Sequence, residues 1–166
     1  MKDFIFSIFL LTIILSKSFG QGCGLVSGTI DKKTGIETRG AVVNSKDFYS
    51  LLVQKRLDSN DSLKYFLFLS AASRFLLTDS LLNSKGNFEL ILVNGEKIIL
   101  KNADCKNQPL GLGGSIGFTV RTTELVMGQI VNNPIQKLKV FGILETEFSP
   151  QKQKQLQKII ACLKNE

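Results

Sequence analysis

The sequence predicts an α+β fold rich in β-structure, built on a single antiparallel sheet or a sandwich-like β core. Two patterns carry this prediction. Residues 88–101 place Asn94-Gly95 between two apolar runs, which is the strongest short-range signal for a β-hairpin. Near the C-terminus, apolar residues recur at the spacing of an amphipathic helix. We therefore expect a short helix before the last strand and an amphipathic helix after it, the latter buried through Leu156, Ile159, Ile160 and Leu163.

The central hairpin also predicts a register. A two-residue type I′ turn at Asn94-Gly95 needs positive φ at both residues and would pair Ile91 with Ile98 and Leu90 with Ile99. Because successive residues of a strand face opposite sides, the two pairs lie on opposite faces of the sheet. Both faces are apolar in mid-hairpin, so each is expected to be covered.

The elements before the hairpin alternate with polar turns. Residues 25–30 and 36–43 predict a first small hairpin around the turn at 31–35. Residues 47–57 fit either a strand or a helix capped by Ser45, and the strand is favoured because a short polar turn leads into the aromatic-rich run 63–71. Residues 75–82 fit a strand end or a helical turn.

The elements after the hairpin end in helices. Residues 102–117 predict a long loop, whose glycines at 111–117 lack the following helix that a dinucleotide-binding loop requires. Thr122 or Thr123 is expected to cap a short helix that ends at residue 131. A strand is predicted over 135–144, and Ser149-Pro150 is typical of a helix start.

The first twenty residues predict a secretory signal. Lys2 precedes an apolar run over 4–15, and Ser18 and Gly20 supply small residues before a cleavage site. The alternative, an uncleaved anchor, is disfavoured because the run is too short to cross a bilayer comfortably. We expect residues 1–20 to be removed and residues 21–166 to form a single domain, exported to the periplasm or secreted.

Composition limits the chemistry. The chain contains no histidine, which removes the commonest general base and the commonest metal ligand. Its net charge of +7 comes from scattered lysines, and no nucleic-acid-binding motif is present. The sequence therefore predicts no catalytic residue, no cofactor and no metal site. A non-catalytic binding or structural protein of the bacterial envelope is expected, with an envelope protein or a glycan as its partner.

The alternative is a hydrolase that uses carboxylates on an envelope or extracellular glycan. Such chemistry needs two carboxyl groups about 5–9.5 Å apart across one cleft. The available acidic residues are scattered along the chain: Asp79, Glu89, Glu96, Asp104, Glu145 and Glu147.

Three cysteines allow one disulfide and leave one sulfur over. Cys105–Cys162 is the favoured pair, because Cys162 lies on the flank of the final helix's apolar stripe and the predicted loop 102–117 is long enough to reach it. Cys23 would then be free or lipidated, and only lipidation would attach the protein to a membrane. The residues before Cys23 fit a lipoprotein signal less well than simple secretion. Pairing of Cys23 with either other cysteine is the fallback.

From residue 64 onward the chain resembles a group of short exported bacterial proteins. The features that carry the resemblance are the Asn94-Gly95-Glu96 turn, the Cys105-containing segment, the glycines at 111–114 and the run 134–140 before a closing helix. The resemblance implies an exported, β-rich fold and transfers no activity or site residue. This chain lacks a second cysteine soon after Cys105, so no local loop disulfide is implied.

Overall fold

The computed structural model describes residues 23–45, 47, 49–57, 62–72, 84–110 and 113–165. Within these residues the protein is β-rich α+β, with nine strands in one antiparallel sheet and two helices. The elements in chain order are β1 Ser27–Ile30, β2 Glu37–Asn44, β3 Ser50–Leu57, β4 Leu63–Ala72, β5 Lys85–Leu92, β6 Lys97–Leu110, β7 Gly113–Thr122, α1 Glu124–Asn132, β8 Ile135–Val140, β9 Leu144–Glu147 and α2 Pro150–Asn165. The strand order is β1-β2-β3-β4-β7-β6-β5-β8-β9.

One face of the sheet forms the core. On β4, alternate residues point into it, and on β7 and β5 the same alternation continues across the sheet. The opposite face is partly exposed. The largest fully buried side chains are Tyr65, Phe88, Phe118, Leu51, Leu67, Leu69, Leu90, Leu92, Met127, Ile130, Ile135 and Leu138.

Helix α2 lies against the buried face and forces the sheet to curl. It contacts β2 and β3 near one end of the sheet and β8 near the other, although β4, β7, β6 and β5 lie between β3 and β8. In a flat sheet these two strands would stand about 24 Å apart, whereas a helix with its side chains is about 10–12 Å wide. A hydrogen bond of 3.0 Å from Thr146 Oγ1 on β9 to the Asp47 carboxylate after β2 brings the two ends together.

The predicted register of the central hairpin is wrong by one residue. Leu90 faces Ile98 and Ile91 faces Lys97. The loop contains three residues instead of two, because the Leu92 carbonyl accepts from the Gly95 N–H at 2.9 Å and only Gly95 of the turn has positive φ, +85°. This is a turn followed by a left-handed glycine, the usual three-residue hairpin loop.

The expectation that both faces of this hairpin are covered is also wrong. With the shifted register, Phe88, Leu90 and Leu92 are all buried on the inner face. On the outer face Ile99 is 54% exposed and Ile91 is only half-buried. The outer apolar residues are therefore β-branched strand formers on a partly solvated surface.

The predicted long loop over 102–117 is mostly strand. β6 continues to Leu110 and β7 begins at Gly113, with Cys105 paired opposite Phe118. The side chains of Ala103 and Cys105 both face the core, and their burial stabilises this strand. The polar and glycine-rich composition of the segment does not reveal it. Asn102 adopts positive φ, 61°, within the long β6 strand.

The strands predicted before the hairpin are confirmed as β1 to β4, including the strand at Ser50–Leu57 that competed with a helix. The segment 75–82 lies outside the described residues. After the short helix the structure has two strands, not one. β8 ends at Val140 because Phe141 and Gly142 take positive φ, 56° and 71°, and β9 follows.

Both predicted helices are present. Thr123 caps α1, its hydroxyl accepting from the Val126 N–H at 3.3 Å. The Gln157 side chain on α2 donates to the Val131 carbonyl of α1 at 2.9 Å, which holds the helices together. Among the described helices, neither is long and apolar enough to cross a membrane. The α2 residues expected in the core are all buried: Leu156, Ile159, Ile160 and Leu163.

The preferred disulfide is wrong, since Cys162 pairs with Cys23, with their Cα atoms 5.5 Å apart. Cys105 is a buried free thiol. The physical reason is position: Cys105 faces the core from β6 in the middle of the sheet, whereas α2 contacts β2, β3 and β8. Cys23 lies just before β1, at the end of the sheet that β1 and β2 form, and there it reaches the flank of α2.

Removing the contact of α2 with the sheet should unfold the protein more easily. Ile160→Ala is expected to lower the free energy of unfolding by about 2–5 kcal/mol, because it empties a fully buried site. Lys158→Ala, on the exposed side of the same helix, should change it by less than about 0.5 kcal/mol. Urea denaturation measures both. Equal values for the two variants would show that α2 does not stabilise the sheet.

The disulfide should stabilise the folded protein because it closes a long loop of the unfolded chain, its cysteines being 139 residues apart. Cys23→Ser and Cys162→Ser are each expected to lower the free energy of unfolding by about 2–5 kcal/mol. The double variant should cost no more than either single one, because both remove the same bond. Thermal unfolding with and without a reducing agent measures the effect. A reducing agent that destabilised the double variant as much as the parent would contradict the pairing.

Candidate functional site

A cleft opens where β4 begins, β7 ends and α1 starts. Tyr65 on β4 lies directly opposite Thr122, the last residue of β7. The chain then turns into a helix at once because Thr123 caps it, which sets the first turn of α1 beside the start of β4. The cleft has a volume of about 380 Å³ and is lined by Leu63, Tyr65, Arg121, Thr122, Thr123 and Glu124.

Two buried hydroxyl groups distinguish this cleft. Tyr65 is 2% exposed and Thr122 is 4% exposed. Within the described part of the chain, neither Tyr65 Oη nor Thr122 Oγ1 has a hydrogen-bond partner. Leaving such a group unpaired costs about 1–3 kcal/mol, and buried polar atoms in proteins normally have a partner. The two side chains are therefore suited to a polar group from outside the chain.

The charge next to these hydroxyls is negative. Burial raises the pKa of the Tyr65 phenol, and the nearby carboxylate of Glu124 raises it further. Tyr65 consequently keeps its proton at neutral pH and is able to donate it in a hydrogen bond. Glu124 is exposed in the first turn of α1, where a negative charge also stabilises the positive end of the helix.

The remaining walls are of two kinds. Leu63, 37% exposed, supplies an apolar surface at the mouth. Arg121 is an exposed residue of the cleft wall, but its side chain lies on the opposite face of the sheet from that of Thr122, because successive strand residues alternate. The cleft thus offers two hydroxyls that both donate and accept, one carboxylate and an apolar wall.

The carboxylates considered for hydrolysis lie elsewhere. Asp104 forms an ion pair with Lys85 on the β5–β6 pair. Glu145 and Glu147 on β9 both bind the Lys137 ammonium, at 2.8 and 3.0 Å. β5 and β8 separate β6 from β9, so the structure does not bring Asp104 together with the β9 pair. Asp79 lies outside the described residues.

Glu145 of the β9 pair is held in the ionised form. The hydrogen bond from Lys137 lowers the pKa of Glu145, and the two carboxylates in turn raise the pKa of Lys137. A general acid of a glycosidase needs the opposite, a carboxyl group whose pKa is raised by an apolar or anionic environment. This cluster is therefore an exposed ion-pair network on the outer side of the sheet.

Other reactive groups are shielded or dispersed. Burial raises the pKa of the Cys105 thiol, so it stays protonated and is a poor nucleophile. Across the described ranges, no three Cys, Asp or Glu side chains are grouped so that they could hold a metal ion.

Two further clefts are more open and lack buried hydroxyls without partners among the residues that the structure describes. One, of about 540 Å³, lies at the β1–β2 edge and is lined by Val26, Gly28, Thr29, Ile30, Glu37 and Arg39. The other, of about 450 Å³, lies beside α2 and is lined by Leu25, Gln151, Lys154, Gln155 and Lys158. The Tyr65–Thr122 cleft is therefore the candidate site.

The sequence patterns do not indicate this cleft. They place Tyr65 in an aromatic-rich strand and make Thr122 or Thr123 the predicted cap of a short helix. One signal was available: Tyr65 falls on the same face as Leu67 and Leu69, so its hydroxyl had to be buried with the core. That Thr122 would stand opposite it depends on the pairing of β4 with β7, which local sequence does not specify.

Comparison with known proteins finds no matching family model, no similar curated protein and no similar solved structure. The resemblance to short exported bacterial proteins therefore stays a prediction.

The proximity of Glu124 to Tyr65 predicts a titration. In Tyr49→Phe the sole remaining tyrosine is Tyr65, which should ionise above the ordinary tyrosine pKa of about 10. Adding Glu124→Gln should move the midpoint of the Tyr65 titration to lower pH. The midpoint should stay above the ordinary tyrosine value, because burial is the larger cause of the raised pKa. Tyrosinate absorbance measures both midpoints.

The matched control is Glu96→Gln, which removes an exposed carboxylate at the hairpin turn and should leave the Tyr65 midpoint unchanged. Circular dichroism at each pH verifies that the protein is folded. An unchanged midpoint in Glu124→Gln would contradict the assigned geometry of the cleft.

Proposed function

We propose that this protein is an exported bacterial envelope protein that binds a ligand in the Tyr65–Thr122 cleft and does not catalyse a reaction. The observation that carries the proposal is the pair of buried hydroxyls without partners among the described residues. A bound ligand would supply the missing hydrogen bonds and thereby remove an energetic cost of about 1–3 kcal/mol for each group.

The composition of the cleft supports binding over hydrolysis. Glu124 is the one carboxylate among the described residues that line it, and two are needed for acid–base cleavage of a glycosidic bond. The chain also has no histidine that could serve as the base. A binding site needs only shape and hydrogen-bonding groups, which the cleft provides.

The proposed location rests on the signal-like residues 1–20 and on the disulfide. A bond between Cys23 and Cys162 is of the kind that persists in oxidising compartments such as the periplasm and the extracellular space. The sulfur of Cys23 cannot form this bond and a lipid thioether at the same time. We therefore favour a soluble exported form, periplasmic or secreted, over an outer-membrane lipoprotein.

Removing the hydroxyls should separate stability from binding. Tyr65→Phe and Thr122→Val each delete one unpaired polar atom with little change of shape, so the melting temperature should stay the same or rise. A panel of envelope components, namely peptidoglycan fragments, capsular polysaccharides and periplasmic peptides, is screened for ligands that raise the melting temperature of the parent. Such a ligand should no longer stabilise the double variant.

Tyr49→Phe is the matched control, because it deletes the same atom from the other tyrosine, outside the cleft. It should leave ligand stabilisation intact. Tyr65→Phe and Thr122→Val variants that each lost more than about 1 kcal/mol of stability would show that the hydroxyls have partners inside the protein, and would argue against a binding role.

A further inference from the structure

We infer that the ligand of the Tyr65–Thr122 cleft is a neutral sugar residue, bound through two of its ring hydroxyls. This inference rests on the proposed function and assigns the ligand class of the same site. The cleft volume of about 380 Å³ falls within the range of small-molecule sites, about 300–1,000 Å³.

The charges of the cleft favour a neutral ligand. An anion would meet the carboxylate of Glu124, which is close enough to the buried phenol to raise the pKa of Tyr65. A cation would meet the positive end of α1, a helix of nine residues. A charged ligand of either sign is therefore repelled by one of the charges around the cleft, whereas a neutral ligand is repelled by neither.

The hydrogen-bonding groups favour hydroxyls on the ligand. Tyr65 and Thr122 each have one donor and free acceptor sites, so their best partner is a group that also does both. They are direct cross-strand neighbours, with Cβ atoms about 4.5–5.5 Å apart. A sugar ring carries several hydroxyls that both donate and accept, whereas a peptide amide presents only one kind of group at each atom.

The other two contacts complete the match to a sugar. The Glu124 carboxylate only accepts hydrogen bonds, so it suits a further ring hydroxyl that donates. Leu63 is a partly exposed apolar side chain at the mouth, against which the C–H groups of a sugar ring can pack. The tyrosine ring itself is buried, so it offers no stacking surface.

Calorimetric titration with free sugars tests the inference. The probes are glucose, galactose and mannose, with glucuronic acid and galacturonic acid as their charged counterparts. At least one neutral hexose should bind, and its uronic acid should bind at least tenfold more weakly. Glu124→Gln should weaken binding of the neutral sugar about tenfold, because a hydrogen bond to a charged acceptor becomes one to a neutral acceptor.

Glu124→Gln should also reduce the difference in affinity between the neutral sugar and its uronic acid, because it removes the carboxylate that repels the acid. Glu96→Gln, an exposed carboxylate away from the cleft, should change neither affinity. Circular dichroism of each variant verifies the fold, so that a loss of affinity is not a loss of structure.

Two results would overturn the inference. One is tighter binding of the uronic acids than of the neutral hexoses, which would make the cleft an anion site. The other is no binding of any hexose. If another component of the envelope panel still depends on Tyr65 and Thr122, the proposed function stands and only the ligand class is wrong. If no component does, both fail.

Discussion

The packing of α2 across the buried face of the sheet is the constraint on which the rest of the structure depends. Its apolar side packs against strands from both halves of the sheet, β2 and β3 on one side and β8 on the other. A flat sheet cannot meet both, so the strands wrap around the helix and enclose one core. The Thr146–Asp47 hydrogen bond and the Cys23–Cys162 disulfide then act on ends that the helix has already brought together.

The candidate site follows from the same arrangement. α1 packs on α2, with Gln157 reaching the last turn of α1, and this fixes the direction in which α1 leaves β7. Its first turn, including Glu124, is thereby held beside the buried phenol of Tyr65. The core thus contains the ring of Tyr65 and also sets a carboxylate beside its hydroxyl group.

Much of the fold could be predicted from local pattern, whereas the site could not. The polar turns and the aromatic-rich run at 63–71 indicate β1 to β4, and the i, i+3, i+4, i+7 spacing indicates α2, because turn residues and apolar periodicity are local signals. The hairpin register failed because Asn94-Gly95 fits a two-residue and a three-residue loop, and only backbone conformation distinguishes them. The sequence predicts a loop around Cys105 because the polar residues that follow Asn102 obscure the strand. The cleft depends on long-range pairing of β4 with β7, for which no local signal exists.

The disulfide has a consequence for the cleavage of the chain by proteases. It joins Cys23 to Cys162 and so encloses all nine described strands and most of α2 in one covalent ring. A single cut of the backbone anywhere inside that ring leaves both pieces attached to each other. The nicked chain therefore keeps its strands at high effective concentration and can remain assembled, whereas two cuts are needed before any fragment can diffuse away.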